Sequence, residues 1–319
     1  MAAATCVISD PDTVSGRIPA MDAITLRDVT KRYGSVTAVD HLTTTIPAGA
    51  LTGFLGPNGA GKTTTFRSIL GLTRLTSGTI EVLGMQVGPD TPAIVKRVGA
   101  VVEEPGVQDT LNGRDNLRVA ARELGVGDDQ IPKLLEFVEL SEDAGRKVNG
   151  YSKGMRQRLA LGMALLGQPE VLLLDEPLDG LDPAGQAKFK GLLRGLVDEG
   201  RTSVVVSSHN LAEVEQLADH VVIISRGRLV AAGTLDDIVG PAQGVMVEIA
   251  DLEAAAAVLR SAGFEVHAGE RRLEVIGEGV DGPAVSRALA FADLYPERIT
   301  PNRSNLEQRF LELTEGETP

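Results

Sequence analysis

The stretch Gly56-Pro57-Asn58-Gly59-Ala60-Gly61-Lys62-Thr63-Thr64 constrains this chain more than any other. It satisfies the spacing GxxxxGK[ST], and its flanks give that spacing a physical meaning. Residues 50–55 read as a short buried strand and residues 65–70 as the first turns of a helix. Between them, glycines let successive backbone N–H groups turn inward and cradle phosphate oxygens, while the helix N-terminus adds partial positive charge. Lys62 is then placed to reach the β- and γ-phosphates, and Thr63 to offer its hydroxyl to Mg²⁺.

A phosphate cradle needs a sheet to hold it, and the apolar runs supply one. Residues 98–102, 171–174, 203–207 and 221–224 are short and apolar, as strands of a parallel sheet buried on both faces should be. Helical patterns at 182–199 and 210–218 separate them, so the core is expected to be α/β with its ligand at the strand C-termini. Ahead of the cradle, residues 24–29, 36–39 and 42–46 alternate with period two and predict an antiparallel β subdomain, turning at 33–35 and 47–49. Between about 105 and 167 the pattern is helical alone, at 111–124, 130–140 and 152–166, which predicts an inserted helical subdomain. Past Gly240-Pro241 the composition shifts. Strand patterns at 245–250, 264–268 and 273–276, with helices at 252–262 and 283–290, predict a small α+β domain over 241–319. Ser304 and Glu307 form a capping box opening a last helix. Residues 1–21 lack periodicity and are expected to be a flexible tail, with Met21 an alternative start.

Composition excludes several function classes. Aromatic residues make up 3% of the chain and Trp is absent, so the core must be built from Ala, Val, Leu and Ile. With 31 basic against 44 acidic residues the net charge is −13, a poor balance for counterion release on a duplex, and no nucleic-acid partner is expected. A single cysteine, Cys6, rules out an internal disulfide or a multi-cysteine zinc site, and a reducing cytosol is the expected compartment. No run approaches the roughly 18–20 apolar residues that span a bilayer. The first residues carry no basic n-region of a signal peptide. Work at a membrane is therefore expected only through a partner.

The carboxylates come next. Val171-Leu172-Leu173-Leu174-Asp175-Glu176 is an apolar strand that ends in two acids. Asp175 is placed to hold Mg²⁺ beside the phosphate loop, and Glu176 to orient or deprotonate a water in line with the γ-phosphate. Ser207-Ser208-His209 ends another strand, where His209 can face the transferring phosphoryl group. In Tyr151-Ser152-Lys153-Gly154-Met155, Ser152 is expected to cap a helix and form a second anion site.

This ordered set resembles the ATP-binding-cassette (ABC) ATPases over about residues 22–240. The resemblance implies a P-loop NTPase core and a set of roles. Tyr33 stacks on adenine, and Gly56, Pro57, Asn58, Gly59, Ala60, Gly61, Lys62, Thr63 and Thr64 bind the phosphates. Ser152 and Gly154 belong to the family's signature, and Asp182 closes the Asp179-Gly180-Leu181-Asp182 D-loop. Lys62, Glu176 and His209 are the catalytic set, while Thr63, Asp175 and Glu103 hold the metal. ATP and Mg²⁺ are the implied cofactors. A head-to-tail homodimer is implied as well, each ATP lying between one P-loop and the other subunit's signature. A separate transmembrane permease is the implied partner, which puts the chain peripherally on the cytoplasmic side of the membrane.

The chain departs from the family pattern at two places. Lys153 and Met155 stand where Gly and Gln are usual, and Lys153 either adds charge near a γ-phosphate or points to solvent. Glu103 stands in the place of the Q-loop glutamine, with Gln108 a less suitable substitute by register. Glu103-Glu104-Pro105, the Tyr-Ser-Lys-Gly-Met string and the C-terminal residues 304–314 are similar to bacterial drug-resistance exporters of the daunorubicin/bacitracin type. That likeness implies drug or antibiotic efflux. A soluble cassette ATPase of DNA repair or translation, or a nutrient, lipid or polysaccharide cassette, is the alternative.

Overall fold

The period-two segment at the start of the chain forms two long strands, β1 (Asp22–Tyr33) and β2 (Val36–Pro47), joined at a hairpin through Gly34. The computed structural model describes residues 22–314 apart from 89, 104, 243, 270, 278, 279 and 304. The expected tail at 1–21 and the Ser304 of the capping box lie outside the described residues. Residues 36–39 and 42–46 are one strand rather than two, because the interval is a bulge and not a turn. Register shifts fall beside Asp28 and His41, which have φ of 52° and 51°, and the His41 ring meets the Asp28 carboxylate at 2.6 Å.

The next elements are β3 (Leu51–Leu55), α1 (Lys62–Ile69), β4 (Ser77–Val82), β5 (Met85–Gln86), α2 (Thr91–Val95) and β6 (Val98–Val101). The helical block contributes α3 (Gly113–Leu124), α4 (Ile131–Phe137) and α5 (Lys153–Ala164). The first part of the chain closes with β7 (Val171–Asp175), α6 (Pro183–Asp198), β8 (Ser203–Ser208), α7 (Leu211–Glu215), β9 (His220–Ser225) and β10 (Arg228–Thr234). One sheet runs β2-β1-β4-β5 and the other β10-β9-β3-β8-β7-β6. In the second sheet β3 pairs in parallel with β8 and β9, and β7 with β6 and β8.

Strands β3, β7 and β8 are buried at every position, which is why they read as unbroken apolar runs without alternation. One core joins Ile24 and Leu26 of the antiparallel sheet to Phe54 of β3 and Phe66 of α1. The two phenyl rings meet at 5.6 Å and 52°. Helix α1 is thereby fixed against the sheet, and the loop that opens it inherits that rigidity.

The chain divides between Gly233 and Thr234, ahead of the composition shift at Gly240. Thr234 caps α8 (Leu235–Val239), a short helix that belongs with the end of the chain: Arg309 donates to the Ile238 carbonyl at 3.0 Å. The second unit continues with β11 (Gly244–Glu248), α9 (Leu252–Ser261), β12 (Glu265–Ala268), β13 (Leu273–Ile276), α10 (Gly282–Ala290), β14 (Arg298–Asn302) and α11 (Leu306–Thr314). The order β12-β13-β11-β14, all antiparallel pairs, makes this a ferredoxin-like βαββαβ unit. Its core is Val245, Val247, Leu259, Leu273, Val275 and Leu289. Strand β14 escaped the sequence pattern because Pro301 interrupts it; as an edge strand it tolerates the missing donor. Among the described residues, no helix is long and apolar enough to cross a membrane.

Candidate functional site

The parallel sheet brings three strand ends to one edge. Beyond β3 lies the loop 56–61, beyond β7 lie Asp175 and Glu176, and beyond β8 lie Ser208 and His209. Two glycines of the loop are dictated by geometry. Gly61 has φ 102°, and a Cβ there would lie 2.4 Å from the Ala38 carbonyl oxygen. A Cβ on Gly56 would lie 2.3 Å from the Ile224 carbonyl oxygen. Only glycine lets the backbone pass. Helix α1 then opens at Lys62 with no side-chain cap and no acidic residue in its first turn, so its leading N–H groups are left for an anion.

Lys62 is buried, with 6% of its surface exposed. Its ammonium donates to the carbonyls of Gly56 at 2.7 Å and Pro57 at 3.3 Å, and lies 3.1 Å from Glu176 Oε1. Thr63 Oγ1 donates to Asp175 Oδ2 at 2.7 Å. The other carboxylate oxygen of Asp175 accepts from Ser207 Oγ at 2.5 Å, and Ser207 Oγ in turn accepts the Glu176 N–H at 2.9 Å. His209 Nδ1 lies 3.0 Å from Glu176 Oε2. Glu176 itself has φ 46°, an uncommon conformation for a residue with a Cβ and one that collects at working sites. Lys62, Glu176 and His209 thus form one chain of contacts.

The donor set fits a magnesium ion held jointly with phosphate. Among the described residues no three His, Cys, Asp or Glu side chains cluster to hold a metal alone. One hydroxyl and one carboxylate, Thr63 and Asp175, already touch, and Mg²⁺ usually takes one or two protein oxygens and fills its octahedron with phosphates and water.

Other expected site residues are placed differently. Glu103, expected among the metal ligands, has its carboxylate on the guanidinium of Arg67 in α1. That hydrogen bond, reinforced by the nearby charge, raises the Arg67 pKa further above its ordinary value. Asp182, expected to bind nucleotide, caps α6, with Oδ1 accepting the Gly185 N–H at 3.0 Å. Ser152 caps α5 as expected, accepting the Met155 N–H at 3.3 Å, and Gly154 lies beside Leu181. Among the described residues no hydrogen bond joins Ser152 or Gly154 to the loop 56–64. Tyr33 ends β1 half-exposed, with the Lys31 ammonium 4.6 Å from its ring centre and its hydroxyl 3.2 Å from Thr73 Oγ1. Gln108 is held through its backbone by Asn116, at 2.7 and 3.1 Å.

Lys153 is exposed, and its side chain lies over Gly180 of the D-loop. A Cβ on Gly180 would be 2.2 Å from Lys153 Nζ. Lys153, Glu103, Thr63, Asp175, Glu176 and Asp179 all line one cavity of about 520 Å³. Sequence reading missed Ser207 and Arg67. Ser207 was detectable in principle, since it sits at the end of a strand beside the acidic strand; Arg67 carried no signal.

The ABC transporter family profile matches residues 39–179. A bacitracin transport ATP-binding protein of Bacillus licheniformis is 45% identical over 203 residues, covering 63% of this chain and 66% of that protein. A daunorubicin resistance ATP-binding protein of Streptomyces coeruleorubidus is 37% identical over 303 residues, covering 92% of this chain and 96% of that one. A solved ATP-binding subunit of an ABC transporter superposes with a TM-score of 0.61 at 28% identity, over 68% of this chain and 91% of that one. With the phosphate loop, the Asp175–Glu176 pair and His209 gathered at one edge of its parallel sheet, this chain belongs to the ATP-binding subunits of ABC transporters.

Proposed function

We propose that this chain powers an exporter of drugs or antibiotics, working as a head-to-tail homodimer under a separate transmembrane permease at the cytoplasmic face of the membrane. The observation that carries the export reading is the likeness to the daunorubicin resistance protein, which runs through the cassette and the ferredoxin-like unit alike. A shared cassette alone would leave the direction and class of transport open. The dimer is supported by where Ser152 and Gly154 stand: among the described residues no hydrogen bond joins them to their own phosphate loop, which leaves that loop open to the signature of a second subunit.

The residues suggest an order of events. In the present arrangement Lys62 occupies Glu176 Oε1, while His209 holds Oε2. When a γ-phosphate arrives, Lys62 exchanges the carboxylate for phosphate oxygens and leaves Oε1 free to accept a proton from water. The general base is thus released by the substrate it acts upon. Thr63 and Asp175 would hold Mg²⁺, which supplies charge neutralisation at the phosphate oxygens. His209 keeps the Glu176 carboxylate oriented through Oε2. Ser152, Gly154 and the α5 N-terminus of the second subunit would add donors from the far side, so that ATP bridges two surfaces only in the closed dimer.

Gentle detergent extraction followed by affinity purification of the chain tests this reading. A co-purifying membrane protein, with ATPase activity that rises on adding amphiphilic drugs, is the expected result. ATPase activity stimulated by DNA or ribosomes, without a membrane partner, would overturn it.

A further inference from the structure

No step described above uses the ion pair between Arg67 and Glu103. Arg67 stands in the last turn of α1, the helix that opens at Lys62. Glu103 stands just past β6, where the chain leaves the sheet for the helical block. The pair therefore ties the phosphate helix to the entrance of that block. Three observations bear on its purpose. Glu103 lines the same cavity as Thr63, Asp175 and Glu176. Its backbone has φ 69°, a left-handed conformation that costs a side-chain-bearing residue energy and is readily given up when its contacts change. Both side chains are about half exposed, at 40% and 56%, so water and salt weaken the pair and it can exchange.

Charge explains why such a pair is needed. Asp175, Glu176 and Asp179 already place three carboxylates in the cavity that must receive a polyanion, against the cations Lys153 and Arg156. A fourth, unpaired carboxylate at 103 would repel the phosphates. Arg67 cancels it. A divalent cation offers Glu103 twice the charge and a preference for oxygen ligands, which a half-exposed guanidinium does not match.

We propose that Arg67 is a positioning residue: it holds Glu103 away from Thr63 and Asp175 until nucleotide and divalent cation arrive together. Glu103 then leaves Arg67 for the cation, the ligand role that the family resemblance implies for this position. The proposal rests on the reading of this cavity as the ATP and Mg²⁺ site.

The test is calorimetric binding of ATP to the full chain, once with EDTA and once with Mg²⁺; the ratio of the two affinities measures the cation preference. Arg67→Met should weaken binding of ATP alone and raise the cation preference by about threefold or more, the size expected for an exposed ion pair. Arg67→Lys should restore most of the original preference. Glu103→Gln should lower it, and adding Arg67→Met to Glu103→Gln should then change nothing further. An Arg67→Met effect equal in both backgrounds, or absent in both, overturns the exchange. If Arg67→Met does not fold, an unchanged cation preference in Glu103→Gln overturns it by itself. Failure of the unmodified chain to bind ATP would instead overturn the assignment of the cavity; normal ATP binding without coupling removes only the exchange.

Discussion

Ser207 and Asp175 are register partners across the parallel pair β7–β8, and the Ser207 hydroxyl donates to Asp175 Oδ1 at 2.5 Å. The Ser207 hydroxyl oxygen in turn accepts the backbone N–H of Glu176 at 2.9 Å. One fully buried hydroxyl therefore sets both the Asp175 carboxylate and the Glu176 peptide, the proposed metal ligand and general base. Ser207→Ala strips a donor from a buried carboxylate and an acceptor from a buried N–H. It should lower stability by about 1–3 kcal/mol. Thermal melting reads that directly, and turnover should fall with it. An unchanged melting temperature together with unchanged ATPase would deny Ser207 this role.

Glu176→Gln keeps the shape of the side chain and removes the base. Lys62 keeps an amide oxygen to meet while His209 faces the amide NH2, and the phosphate loop is untouched, so ATP should bind. Hydrolysis should fall by about 10²–10⁴-fold, the usual contribution of general base catalysis. Light scattering after size exclusion should find a dimer in saturating ATP. A monomer under those conditions counts against the shared site.

Lys62→Ala removes the buried ammonium that joins Gly56, Pro57 and Glu176. Both phosphate binding and the release of Glu176 depend on it. ATP affinity should drop by about 10²-fold, corresponding to the loss of one or two charge-assisted hydrogen bonds. Calorimetry is the measurement, and wild-type affinity would contradict the loop assignment.

Gly61→Ala places a Cβ 2.4 Å from the Ala38 carbonyl oxygen at φ 102°. The loop must deform or the backbone must shift. A cost of about 1–3 kcal/mol is expected for a strained left-handed residue. Lost ATP binding should accompany it, since the displaced N–H groups are the phosphate donors. Gly59→Ala is the control: φ is 80° but no atom lies within 4 Å of its Cβ, so it should lose less.

The sequence by itself determined the elements whose chemistry is local. A phosphate loop is a matter of consecutive residues, and its glycines, lysine and threonine were legible as written. The buried parallel strands were legible because burial on both faces leaves an unbroken apolar run, and the acids at the end of β7 followed at once. The family resemblance added the roles that spacing could not give. Tertiary structure decided whatever depends on distance in sequence. Short exposed edge strands such as β10 and β14 have little apolar pattern, since an edge buries only part of itself. The single strand β2 looked like two because a bulge breaks the alternation without ending the strand. Above all, the partners of the charged groups were invisible along the chain. Arg67 meets Glu103, Ser207 meets Asp175, and Lys62 meets Glu176 only because the sheet and α1 bring separate segments to one edge. A side chain's identity is written in the sequence; which charge it cancels is written by the fold.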